Sequence, residues 1–349
     1  MTNNQKTMRA LILEIPGEEP SLRVKHVPVP DLGPDEVLVQ VAACGICYHD
    51  IAVTRGVLRR GVKPDVVLGH EISGRVVETG EAVESVDVGA PVVSALTTFC
   101  GRCRRCLEGR EYRCVEGRGI GHAIDGGFAD FVKLPATSVL PVPEGISLED
   151  AAVIACPIGV ALHALTDVAA VASGDTVLVT GAGGGLGVHT VQVSSALGAR
   201  VLAVTTSPEK VEQLERLTTA EVILADELDF AEIALAYTED RGVDVVTNIV
   251  GGAFFQSSIK SLTQFGRVVL LGEVTGERAG VNVAEILFRD ATIVGSTGAN
   301  PDQITAAAQM VAAGLVRPVI SQRFTLEDAP AAYRLMRAGK TFGRVVLVP

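Results

Sequence analysis

Residues 177–193 read VLVTGAGGGLGVHTVQV, a cluster of glycines set between an apolar run and a helical pattern. The apolar run before it, DTVLVTG, predicts a buried strand. The run after it, LGVHTVQVSSALG, predicts a helix that stops at Gly198. Small residues at such a junction let the backbone approach a pyrophosphate, and the helix N-terminus supplies free N–H groups and a positive dipole end. The register that fits places Ala182, Gly184 and Gly187 at the phosphate-facing positions, with Gly181 just ahead. The alternative is a glycine turn that holds no nucleotide. The readable strand and helix on either side argue against it.

Strand and helix patterns alternate outward from this loop. RVLAVT, AEVILA, VDVVTNIV, GRVVLLG and ATIVGST read as strands, and PEKVEQLERL, DFAEIALAYTE and AFFQSSIKSLTQ as helices. Apolar strands alternating with helices predict a parallel sheet covered on both faces. Residues 8–155 differ. EVLVQVAA, ISGRVVETG, APVVSAL and FADFVKL are short strands broken by Gly and Pro, which predicts a small antiparallel barrel or sandwich. Between the halves, Ser147 reads as the N-cap of an Ala-rich helical stretch, PEGISLEDAAVIACPIGVALHALT. The final GRVVLVP reads as a strand returning to the first half. The expected division is residues 1–157 with 298–349 in one domain and 158–297 in the other.

Bulk properties narrow the classes. A chain of 349 residues suits two domains, and 48% hydrophobic against 20% charged residues marks it as globular. The net charge of −11 argues against a nucleic-acid partner. No stretch reads as a leader peptide or a membrane span, so the sequence predicts a cytoplasmic protein acting on a small molecule.

Seven cysteines in a reducing compartment read as metal ligands or inert thiols. Four of them, Cys100, Cys103, Cys106 and Cys114, lie in CGRCRRCLEGREYRC. Four thiolates in one loop close a tetrahedral shell around zinc and leave no open position, so such a site is structural. An iron–sulfur cluster is the other metal reading of four cysteines. Cys47, His70 and Cys156 remain. Two thiolates and an imidazole make a zinc set with a free fourth position, an arrangement found in catalysis. Taken singly, Cys156 would pass for a core residue and His70 for a turn residue.

The segment after the second strand of the α/β half, VTTSPEK, bears on the nucleotide. An NAD site carries Asp or Glu about 20 residues after the glycines, bonded to the ribose 2′-hydroxyl. Here Thr205, Thr206 and Ser207 are neutral and Lys210 follows. Small hydroxyls and a lysine suit a 2′-phosphate, so NADP(H) is expected over NAD(H). Ser207 before Pro208 also suits a helix cap.

On CGICYHD, GHEISG, the four-cysteine loop, ACPIGV, TGAGGGLGVH and GKTFGR, the chain resembles the zinc-containing medium-chain dehydrogenase/reductases, the alcohol dehydrogenase superfamily. The resemblance spans nearly the whole chain. It implies a GroES-like β-barrel catalytic domain, a Rossmann cofactor domain with a doubly wound parallel sheet, and an active site between them. It implies two zinc ions per chain, with Cys47, His70 and Cys156 at the catalytic one. It further implies that Glu71 approaches the metal, that Asp50 orients His70 and faces Arg344, and that Arg344 lies near the cofactor pyrophosphate. Cys44 matches a non-ligand position. Family members are dimers or tetramers joined at the Rossmann sheet edge, so a homodimer or homotetramer is expected, with ATIVGST as the candidate edge strand.

One departure is visible. Where this chain has His49, the family's alcohol dehydrogenases carry Ser or Thr, which bonds the substrate alcohol and starts a proton relay. Ala52 and Val53 occupy the stretch of the usual downstream histidine. Either His49 takes the alcohol proton itself, or no alcohol proton is involved, or His49 merely bonds a phosphate or ribose hydroxyl. The nucleotide half (VLVTGAGGGLGVHTVQVSSALGA, VTTSPEK, GLVRPVI) resembles acryloyl-CoA-type enoyl reductases, which also place a basic residue after CY. The first expectation is therefore interconversion of an alcohol with an aldehyde or ketone. The second is NADPH-dependent reduction of an α,β-unsaturated thioester or ketone. A non-catalytic nucleotide-binding protein would need no open metal site.

Overall fold

The computed structural model describes residues 6–225, 229–274, 276 and 278–349; residues 1–5, part of the stretch scanned for a leader, lie outside these. The α/β half is a six-stranded parallel sheet. From one edge its strands are Glu221–Leu224, Arg200–Thr205, Thr176–Val179, Val243–Asn248, Leu262–Leu270 and Thr292–Gly295. In chain order this is 3-2-1-4-5-6, the doubly wound order whose ligand crevice opens where the direction of winding reverses. That point lies between Thr176–Val179 and Val243–Asn248. Every residue of Thr176–Val179 is buried, as a strand covered by helices on both faces must be. Thr292–Gly295 pairs only with Leu262–Leu270 among the described strands and forms one edge.

The second sheet has seven strands and is mainly antiparallel. Glu36–Gly45 is its hub, paired with Glu71–Thr79, Phe131–Pro135 and Arg344–Leu347. The last pairing, Val346 with Gly45 and Leu347 with Cys44, returns the C-terminus to a strand from the first domain's beginning. It also delivers Arg344 to the centre of the molecule. A separate hairpin, Thr7–Ile15 with Ser21–Pro28, packs on this half. No helix among the described residues is long and apolar enough to cross a membrane.

Two local expectations are corrected. The Ala-rich stretch is not one regular helix. Ser147 caps a short turn, its Oγ accepting from Asp150 N at 3.1 Å, and a π-turn at Ile154–Gly159 follows. Pro157 lies inside that turn and has no N–H to give, and Ile158 N reaches five residues back to Val153 O at 3.2 Å. The second correction concerns AFFQSSIKSLTQ, whose helix ends at Lys260. Leu262 already pairs with Val243 in the sheet, so tertiary pairing overrides the local helical pattern.

Candidate active site

The strand Glu36–Gly45 ends one residue before Ile46 and two before Cys47. A side chain at Gly45 would put its Cβ 2.0 Å from Glu71 Oε2, so glycine is what admits the Glu71 carboxyl here. Cys47 caps the short helix Tyr48–Thr54. Its backbone N–H donates to Asp50 Oδ2 at 2.8 Å. Asp50 is fully buried, with Oδ1 3.4 Å from His70 Nδ1 and 3.3 Å from the backbone N of Gly69. Gly69 holds φ +91°, and a Cβ there would collide with Phe128 and Cys44 Sγ. It turns the chain so that His70 and Glu71 enter the next strand facing Cys47. Cys156 arrives from the π-turn. Ligand atoms of Cys47, His70, Glu71 and Cys156 all lie within 4.8 Å of one another.

The cluster is charged and dry. Cys156 shares its hydrogen bond with Cys47, which pushes the Cys47 thiol well down and the Cys156 thiol well up. Burial pushes the Glu71 carboxyl up to about 7, against the pull of Arg344. His70 is pushed well up despite its burial, because Asp50 and Cys47 favour its charged form. His70 Nδ1 and both Glu71 oxygens are buried with no aligned hydrogen bond. Buried polar groups in this state are costly. His70 Nδ1 faces Asp50, and a cation among the two sulfurs, the other imidazole nitrogen and the Glu71 carboxylate would relieve Glu71. The donor set therefore fits zinc.

The resemblance led to Asp50 facing Arg344, and the structure corrects this. Arg344 Nε stands 3.1 Å from Glu71 Oε2, charge against charge rather than in line for a hydrogen bond, and Nη1 donates to Ile46 O at 3.2 Å. Asp50 is already committed to Cys47 N and His70. Burial works against the charge of Arg344, but Glu71, the two thiols and, least, Asp50 hold its pKa above the ordinary arginine range.

The glycine loop faces this cluster. A Cβ at Gly187 would sit 2.1 Å from Gly181 O, so the helix can approach the strand only through glycine. A Cβ at Gly185 would sit 2.9 Å from the Arg344 guanidinium, and one at Gly183 2.5 Å from Lys210 Cδ. Gly343 N donates to Gly183 O at 3.1 Å. Ala182 is buried, and Gly184 bridges to Gly343. Two cations, Arg344 and Lys210, thus lie against the loop. The aliphatic stem of Lys210 packs at Gly183, and its Nζ donates to Gly339 O at 2.7 Å, beyond the C-terminal helix. The second strand of the α/β half ends at Thr205, buried, followed by exposed Thr206 and by Ser207. Thr205 Oγ1 accepts from Ser207 N at 3.2 Å. Ser207 occupies the cap position but makes no cap bond; its hydroxyl donates to Glu209 at 2.8 Å. Beyond the switch point a cavity of about 440 Å³ lies at the strand ends, lined by Gly251, Phe255, Leu270, Glu273, Ser296 and Thr297 among others.

Cys100, Cys103, Cys106 and Cys114 also converge, with sulfurs within 4.8 Å. Cys103 lies 3.5 Å from Cys106 and 3.9 Å from Cys114, and Cys114 lies 3.6 Å from Cys100. A tetrahedral ion with bonds of about 2.3 Å sets its sulfurs about 3.8 Å apart. These distances suit one zinc ion and are far too long for disulfides. Backbone N–H groups of Val115 and Cys106 push Cys103 down to about 6, and burial pushes Cys106 up to about 12.

His49 stands between two rings. Its centroid is 5.1 Å from that of His70, edge on, and 5.4 Å from that of His122. Its Nδ1 is buried without a partner. Burial, then the charge on His70, pushes its pKa down, so the ring is held neutral. Sequence reading did not single out His122, which sits in an ordinary turn-like stretch, GIGHAIDGG. Nor did it single out His189, whose Nδ1 lies 2.6 Å from Gly185 O and whose Nε2 accepts from Val319 N at 3.0 Å. Only the position of His189 in the helix after the glycines could have hinted at that link. Tyr112 was also missed; it packs on His163 at 4.9 Å and ties the four-cysteine lobe to the other half.

Comparison with known proteins gives the family. Residues 33–144 match the alcohol dehydrogenase GroES-like domain, and residues 185–313 match the zinc-binding dehydrogenase domain. The chain is 32% identical over 347 residues to an acryloyl-coenzyme A reductase of Sulfurisphaera tokodaii, covering 98% of this chain and 100% of that one. It is 32% identical over 349 residues to an L-threonine 3-dehydrogenase of Bacillus licheniformis, covering 98% and 99%. It superposes on the crystal structure of an NAD-dependent alcohol dehydrogenase with a TM-score of 0.92 at 32% identity, covering 98% and 100%. The chain belongs to the zinc-containing medium-chain dehydrogenase/reductases and is an oxidoreductase of the alcohol dehydrogenase type, with GroES-like and Rossmann halves.

Proposed function

We propose that this member of the family transfers hydride between NADP(H) and an alcohol/aldehyde or ketone pair. The observation that carries the reading is the buried Cys47–His70–Cys156 set, with Glu71 beside it and Asp50 behind His70, one residue pair away from a glycine loop through Arg344. Zinc held there would act as a Lewis acid on a substrate oxygen. Asp50 fixes the ring of His70 and so the direction of its free nitrogen. His49, neutral and adjacent, is the group that accepts or donates the substrate proton. Arg344, with the loop N–H groups, lies at the pyrophosphate. Thr205, Thr206 and Ser207, with Lys210 following them, receive the 2′-phosphate. The four-cysteine lobe takes a second, structural zinc. The substrate is a small molecule, and the protein is a homodimer or homotetramer joined along Thr292–Gly295. Exposed Val283, Leu287 and Phe288 just before that strand would be covered by such an assembly.

The second reading is NADPH-dependent reduction of an α,β-unsaturated thioester or ketone. Two observations favour it: the similarity to acryloyl-coenzyme A reductase over nearly the whole chain, and an imidazole where an alcohol relay has a hydroxyl. One panel with NADPH, containing aldehydes, ketones and enoyl thioesters, separates the two. Turnover of carbonyls supports the first reading; turnover of enoyl thioesters alone replaces it with the second.

A further inference from the structure

Residues 55–63 read RGVLRRGVK: four cations, no carboxylate, in a chain of net charge −11. This segment leaves the helix that carries His49 and Asp50. It then runs beside the imidazoles next to that helix. Arg60 O lies 3.0 Å from His122 Nε2, and the His122 ring is the neighbour of His49, itself the neighbour of His70. A carbonyl only accepts, so Nε2 of His122 carries the proton. Its Nδ1 is buried without a partner, as is Nδ1 of His49. Two ring-to-ring steps therefore lead from the metal-ligating imidazole to the backbone of Arg60.

The four cations are not alike. Arg55 faces Glu18 at 3.6 Å, and Lys63 pairs with Asp125. Arg59 and Arg60 are exposed and make no ion pair among the described residues; Arg59 Nε turns back to its own Gly56 O at 2.5 Å. Neither charge is neutralised by a carboxylate among the described residues. Their placement at the cleft rim suits a ligand of opposite charge, since rim charges act chiefly on encounter and discrimination.

We infer that residues 55–63 form an anion-recognising rim. The substrate carries an oxyanion, carboxylate or phosphate, on the arm that leaves the metal cluster past His122, and Arg59 and Arg60 hold it. This rests on the carbonyl or enoyl chemistry proposed above and narrows its substrate class.

The test uses the full zinc-loaded chain with NADPH and two matched pairs. Crotonyl-CoA against the crotonyl thioester of N-acetylcysteamine probes phosphate. Succinic semialdehyde against butanal probes carboxylate. The double variant Arg59→Glu/Arg60→Glu should lower the ratio of kcat/KM, anionic over neutral, by about tenfold in at least one pair. Arg59→Lys/Arg60→Lys should retain most of the ratio. Raising salt from about 0.05 to 0.3 M should lower the wild-type ratio in the same pair, because exposed charges are screened. The pair that responds identifies the anion. Ratios unchanged by charge reversal in both pairs overturn the inference. If no substrate of either pair turns over, the proposed reaction has failed, and thermal-shift titration with acetyl-CoA, succinate and inorganic phosphate decides the rim separately. Stabilisation lost on charge reversal supports the rim. Absent stabilisation, or stabilisation equal in both proteins, refutes it.

Discussion

His189 should act as an acid-sensitive clasp between the glycine loop and the C-terminal segment. It is fully buried, and both ring nitrogens are used: Nδ1 at Gly185 O, Nε2 accepting from Val319 N. That pattern requires the neutral ring. A second proton would set an N–H on Nε2 against the N–H of Val319. Burial, with a further push from the charge on Arg344, lowers its pKa from 6.5 to about 4. The unfolded chain then binds the proton first, so this contribution is fully present above pH 6.5 and is lost as pH falls through about 4. Each unit of pKa shift corresponds to about 1.4 kcal/mol, which gives about 3 kcal/mol at the acid limit and about 2 kcal/mol by pH 5. For a chain of this size about 2 kcal/mol is roughly 2–3 °C in Tm. The assay is the Tm difference between wild type and His189→Gln, measured at pH 7 and pH 5 so that other titrating groups cancel. Gln keeps polar atoms but does not titrate, so wild type should lose about 2–3 °C of its advantage. A difference that stays constant, or an imidazole ¹⁵N signal of His189 that titrates near 6.5, would refute the reasoning.

Elemental analysis of unchelated protein should give about two zinc per chain; Cys103→Ser should lower stability first and Cys156→Ser turnover first, and a value near one that resists zinc supplementation would remove the open site. NADPH should bind at least about tenfold more tightly than NADH, since one or two charge-assisted bonds to a 2′-phosphate are at stake. Thr205→Asp should shift that preference towards NADH, and equal dissociation constants in the wild type would overturn the assignment. His49→Ala should cut turnover by about 10²–10⁴-fold with little change in NADPH affinity, and His49→Ser should restore part of it; intact turnover with weakened cofactor binding would make His49 a cofactor contact instead.

Much of the fold and site was legible because its signals are local. The glycine cluster needs only its own strand and helix to be read, and the four cysteines converge within fifteen residues. Cys47, His70 and Cys156, far apart in the chain, were readable as a set by residue type together with the family resemblance, which set Cys44 aside. The π-turn at Ile154–Gly159 and the early end of the helix at Lys260 were not, since both depend on what the sheet and its neighbours demand of the backbone.

The sequence by itself determined the chemistry on offer: which side chains can bind metal, where a pyrophosphate can lie, and which strand lacks a carboxylate for a ribose. Only the tertiary structure decided who faces whom. It gave Arg344 to Glu71 rather than to Asp50, lodged Lys210 on the glycine loop, set His122 beside His49, and clasped His189 between Gly185 and Val319. The physical reason is sequence distance. Apart from the four-residue step from His189 back to Gly185, each of these contacts joins segments that no local periodicity connects, and their positions follow from packing the whole chain.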